Sequence, residues 1–238
     1  RYPAIIFEQE REAGDQILNV ENLTAEADGK ILFSGININL SKNDKVVVYS
    51  KDARAATAFY EILNGNQQPA AGSFQGGVTT NQSYLPLDNA MNFDTEDPLV
   101  DWLRQYAKTD EEREAVFLRG FLGKMLFSGD EALKSAKVLS GGEKVRCMLS
   151  RMMMVRANVL MLDEPTNHLD LESITAFNNS LIKFKGTVLL TTHDHAFAQS
   201  VGNRVVELTP KGVIDRNTTF DEYMINPKIK ELRDKMYF

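Results

Sequence analysis

Residues 140–165 read SGGEKVRCMLSRMMMVRANVLMLDEP, and the order of the patterns inside them decides the fold. Val145, Met148, Leu149, Met152 and Met153 recur at helical spacing, so the first part predicts a helix with one apolar face. NVLMLDEP then gives a short apolar run closed by two carboxylates, the pattern of a strand buried on both faces. Downstream, ESITAFNNSLIKF has helical spacing and GTVLLTTHDH repeats the buried-strand pattern. Helix, strand, helix, strand predicts an α/β fold on a mainly parallel sheet, where ligand-binding groups collect at the carboxyl ends of strands.

Working outward, ILNVENLTAEA and KILFSGININLS alternate apolar and polar residues around an Asp-Gly turn, which predicts an antiparallel hairpin at a sheet edge. KVVVYS predicts another buried strand, and AATAFYEIL a helix after it. Gly65, Pro69, Gly72, Gly76, Gly77 and Pro86 mark residues 64–90 as turns and short strands. Helix formers dominate from Asp94 to about Ala136 and predict an inserted helical lobe, about 94–150 with the SGGEK helix. Residues 1–15 are expected to end a linker, 16–225 to form the domain and 226–238 a C-terminal tail.

Composition narrows the function classes. The 238 residues are 43% hydrophobic, enough for a sizeable core, and 27 basic against 33 acidic residues leave a net charge of −6. That balance argues against a surface that neutralises many nucleic-acid phosphates by itself. Cys147 is the single cysteine, so no internal disulfide is possible. The absence of a signal-like opening and of eighteen consecutive apolar residues leads to the expectation of a cytoplasmic chain without a membrane span. The opening RYPAIIFEQ lacks a Met and suggests a piece of a longer polypeptide.

Three groups carry chemistry. Asp163 and Glu164 leave a strand end together, where carboxylates can hold Mg²⁺ or polarise a water. His193 ends the next apolar strand and is expected beside them. Ser140, Gly141, Gly142 and Glu143 open a helix, which offers a hydroxyl, exposed amides and a positive dipole end to an anion; a Ser cap with Glu143 as its capping-box partner is the structural alternative. The Met152 to Met154 run reads as core packing, and His168 and His195 lack the spacing of a zinc site.

The stretch VVVYSKDARAATAFY, residues 46–60, has the strand, loop and helix of a phosphate-binding P-loop without its glycines or lysine. LSGGE, VLMLDEPTNHLD and TTHDH nevertheless follow in the order of the nucleotide-binding domain of ATP-binding cassette (ABC) proteins, which the chain resembles from about Ile17 to Tyr223. LSGGE resembles the signature motif, VLMLDEP the Walker B strand, NHLD the D-loop and His193 the switch histidine. DEPTNHLD, the charged RYPAIIFEQEREAGDQIL opening and GVIDRNTTFDEYM resemble the C-terminal cassette of the ABC-F subfamily.

That resemblance implies ATP and Mg²⁺ as ligands, an N-terminal cassette of the same polypeptide as partner, and action on the ribosome through its rRNA or tRNA. It implies Glu164 and His193 as catalytic residues, Asp163 and Thr57 on the metal, and Ser140, Gly141, Gly142, Glu143 and Asp170 on a partner's nucleotide. Alignment of the P-loop puts Ser50, Ala53 and Ala55 at glycine positions, Ala56 at the lysine and Thr57 at the Mg²⁺ hydroxyl, so Ala55, Ala56 and Thr57 would be what remains of the cofactor-binding turn. Leu87 falls at the Q-loop glutamine and Ala27 at the adenine-stacking aromatic. A worn cradle beside an intact signature implies a cassette that completes its partner's ATP site. The competing expectations are the ATP-binding subunit of a membrane transporter and a non-hydrolysing structural pseudo-cassette.

Overall fold

A computed structural model describes residues 2–237, which divide into two compact units interleaved along the chain. The larger comprises Arg11–Leu87, Asn158–Pro165 and residues 185–237; the other comprises residues 2–10, Asp88–Ala157 and Thr166–Phe184.

In the larger unit, β1 (Gln16–Ala27) and β2 (Lys30–Ser41) form the antiparallel hairpin. Its tight turn needs left-handed backbone at both central positions, which Asp28 (φ 53°) and Gly29 (φ 76°) provide. β4 (Ala71–Gly76) adds antiparallel to β1 to make a three-stranded sheet. A six-stranded sheet runs in the order β5 (Gln82–Leu85), β6 (Val159–Asp163), β7 (Thr187–Thr191), β3 (Lys45–Tyr49), β8 (Arg204–Thr209) and β9 (Gly212–Arg216). All its pairings are parallel except β8 with β9, as the apolar strands require when both faces are covered.

Register in this sheet positions the chemistry. Leu162 pairs with Leu190 and Asp163 with Thr191, so β6 and β7 end level with each other. β3 lies on the far side of β7 and delivers the loop into α1 (Ala53–Leu63) at the same edge. Ala55, Ala56, Phe59, Tyr60 and Leu63 repeat at helical spacing and are all buried, which fixes the rotation of α1. Gly65 (φ 76°) follows its last turn. The unit closes with α6 (His195–Val201), α7 (Phe220–Ile225) and α8 (Pro227–Met236).

The second unit contains α2 (Leu99–Arg104), α3 (Ala115–Lys124), α4 (Gly141–Val155) and α5 (Leu171–Lys183). The stretch expected to end a linker contributes residues 2–10 to this unit. The amide of Ala4 donates to the Lys124 carbonyl and that of Glu10 to the Arg156 carbonyl, and Phe7 is buried edge-on against Phe177 and Phe184. Residues 226–238, expected as a tail, likewise supply α8 with Ile229 and Arg233 buried.

Candidate functional site

Between β3 and α1 the chain takes an ordinary helix entrance. No residue from Asp44 to Asn64 has positive φ, whereas convergence of successive amides on a phosphate uses the left-handed backbone that glycine supplies. The amides are engaged within the chain. Lys51 N–H donates to the Tyr237 hydroxyl at 3.1 Å, Asp52 N–H to Ser50 Oγ at 3.3 Å, Arg54 N–H to Asp52 Oδ1 at 3.0 Å and Ala55 N–H to the Asp52 carbonyl at 3.0 Å.

Asp52 is the N-cap of α1 and carries ion pairs with Arg54 at 2.9 Å and Lys30 at 3.5 Å. The Arg54 side chain, bonded to it, holds the carboxyl down at about 2. Arg54 also reaches Asp28 at 3.7 Å, and the Lys51 ammonium sits 4.6 Å above the Tyr237 ring, so neither cation replaces the missing lysine. Ala55 and Ala56, expected against the nucleotide, are 0% and 1% exposed in the hydrophobic core. The rotation of α1 turns both side chains into that core, so only their backbone amides could meet a nucleotide. The residues present do not fit a triphosphate at this turn.

Thr57 is different. Its hydroxyl donates to Asp163 Oδ2 at 2.6 Å, so two hard oxygen donors of the kind Mg²⁺ takes stand together at the ends of α1 and β6. Asp163 is 2% exposed, and burial pushes its carboxyl up to about 6 against the Thr57 hydrogen bond. Glu164, in left-handed backbone at φ 51°, accepts from the His193 amide at 3.1 Å and lies 3.1 Å from the His193 Nε2 atom. Burial raises the Glu164 carboxyl as well. A strained, desolvated carboxylate held by an exposed imidazole is suited to taking a proton from water.

Beneath this group the Tyr60 hydroxyl lies 2.9 Å from Thr191 Oγ1, which in turn donates to the Val48 carbonyl at 2.8 Å. This tie between α1, β7 and β3 was not foreseen, because Tyr60 reads in sequence as one more apolar position. A cavity of about 290 Å³ beside the loop is lined by Ala27, Leu32, Ala53, Thr57, Gln67 and Leu87 among others. It brings together the two positions where the sequence lacks the aromatic and the glutamine.

In the second unit, Ser140 caps α4 in a complete capping box. Its Oγ accepts from the Glu143 amide at 3.2 Å, and Glu143 Oε1 accepts from the Ser140 amide at 3.1 Å. Lys134 bonds the other oxygen of Glu143 at 2.8 Å and lowers that carboxyl. The paired glycines have a packing reason: a Cβ at Gly142 would stand 2.4 Å from the His168 carbonyl oxygen, and one at Gly141 3.2 Å from the His168 ring. Asp170 caps α5 through the Ser173 amide at 2.8 Å, a bond that lowers its carboxyl. Ser140, Gly141 and Asp170 are exposed, so this helix tip and the neighbouring cap face outward from the unit.

Residues 18–167 match the ABC transporter family. The chain is 48% identical over its whole length to the Bacillus subtilis (strain 168) protein YkpA, an uncharacterized ABC transporter ATP-binding protein of which it spans 44%. It is 25% identical over 96% of its length to ABC transporter F family member 5 of Arabidopsis thaliana, of which it spans 33%. Among solved structures, the dimeric post-hydrolysis state of an ATP-binding cassette bound to ADP and Pi shares the fold at a TM-score of 0.66 and 16% identity, covering 84% of this chain and 98% of that one. No helix among the described residues is long and apolar enough to cross a membrane. With a family match across more than half of its residues, a parallel sheet ending in adjacent carboxylates and a serine-capped glycine helix tip, the chain belongs to the ABC transporter family, as one of its ATP-binding cassettes.

Proposed function

We propose that this chain is the second cassette of a two-cassette, ABC-F type protein of the cytoplasm, and that it completes the ATP site of its partner cassette while its own P-loop holds no triphosphate. The observation that carries the reading is the contrast between the two helix tips. The tip of α1 lacks the lysine and glycines and has its amides engaged by Asp52, Ser50 and Tyr237, whereas the tip of α4 keeps Ser140, Gly141 and Gly142 exposed or half-exposed.

In this reading Ser140 and the α4 amides grip the γ-phosphate of the ATP bound by the partner, and Asp170 faces the same nucleotide. Such donors act where charge develops in phosphoryl transfer. Thr57 and Asp163 are the pair that would face a Mg²⁺ ion in this cassette's own site, and without a triphosphate there they stay bonded to each other. Glu164 and His193 would form the proton-accepting pair of this cassette's own site, idle there for want of a bound triphosphate. Action on the ribosome rests on the ABC-F wording of DEPTNHLD and on the likeness to an F-family member.

The test separates the two sites in the two-cassette protein. Ser140→Ala is expected to lower ATP turnover by on the order of 10²-fold, the scale of removing one transition-state donor. Glu164→Gln is expected to leave it within a factor of two. Turnover that survives the first change and collapses with the second would reverse the assignment.

A further inference from the structure

The β3–α1 loop is closed as well as eroded, and the closure has two parts in one unit. At the tip of α1 the Asp52 carboxylate accepts the Arg54 amide and is paired with Arg54 and Lys30. Behind the loop, the C-terminal segment reaches back to it. The Tyr237 hydroxyl accepts from the Lys51 amide at 3.1 Å and donates to Glu207 Oε2 at 2.5 Å. Glu207 is fully buried on β8 opposite Tyr49, the residue that starts the loop, and it also accepts from Tyr223 at 2.6 Å and Arg233 at 2.6 Å. The Arg233 guanidinium lies 5.4 Å above the Tyr49 ring.

We propose that the C-terminal helix is an intramolecular latch that holds the phosphate loop shut, with Asp52 as its resident anion and Tyr237 as the bolt to buried Glu207. A solvated tail would not place a phenol between the first loop amide and a buried carboxylate. An N-cap alone would not gather two cations from different elements. The latch rests on the worn-loop half of the proposed function and is independent of Ser140. It makes the idle state of the loop an actively held conformation rather than mere loss of contacts.

The test uses the full chain, with Tyr237→Phe, which removes the bolt, and Asp52→Asn, which keeps an N-cap oxygen and removes the charge. Hydrogen exchange at the amides of residues 51–55 is expected to rise at least tenfold in Tyr237→Phe, with exchange in β6 and β7 unchanged. Inorganic tripolyphosphate, followed by calorimetry, is expected to bind the double variant at least tenfold more tightly than wild type. Unchanged loop exchange, or equal tripolyphosphate affinity in wild type and variant, overturns the latch. The two failures stay distinguishable: equal weak affinity leaves the proposed function standing, and equal tight affinity removes both.

Discussion

Asp163 keeps its carboxylate at 2% exposure with a neutral hydroxyl as its hydrogen-bond partner, so ionising it opposes folding. Its folded value, about 6, lies above the ordinary carboxylate value of 3.8, and the native state therefore binds more protons than the unfolded chain between those limits. Stability from this group is full below about pH 4, declines as pH rises to about 6, and stays low above it, by about 2 to 3 kcal/mol. Asp163→Asn keeps an acceptor for Thr57 and removes the charge. Chemical denaturation across pH is expected to show the variant equal to wild type near pH 4 and more stable by about 1 to 3 kcal/mol at pH 8. A difference that does not change with pH would mean that Asp163 is solvated. Glu207 is a buried carboxylate with more partners, two phenols and a guanidinium. Arg233→Met breaks this buried pair by removing one partner and is expected to cost about 3 to 5 kcal/mol, read from urea midpoints.

At the scale of elements, two helix tips of similar sequence design have opposite fates. α1 begins at Asp52 with its own charge on the tip, and α4 begins at Ser140 with a neutral hydroxyl and two glycines. Those glycines first serve packing, since the segment carrying His168 crosses the tip of α4 too closely for a side chain at Gly142. Gly142→Ala is expected to lower stability by about 1 to 3 kcal/mol through this overpacking against backbone, and Gly141→Ala by less because the His168 ring can yield. Thermal melts of the two variants check the order. Equal melting points would show that His168 moves freely and that the glycines answer to a ligand alone.

At the scale of the whole molecule, the sheet was legible because NVLMLDEP, TVLLTTH and KVVVYS are apolar runs of strand length, and because Asp28-Gly29 can make only a few turns. The meeting of Asp163, Glu164 and His193 at one edge followed from parallel pairing. The closure of the loop was not legible, because it depends on Tyr237 and Glu207, far from residue 51 in sequence. Two signals pointed toward it: an Asp directly before an Ala-rich helix, and a Glu interrupting the apolar strand RVVELT. The measurement that tests the central claim most directly is calorimetric titration of MgATP into this chain alone. No saturable heat is expected up to millimolar nucleotide, and micromolar binding that disappears when Thr57 is replaced by Ala would contradict it.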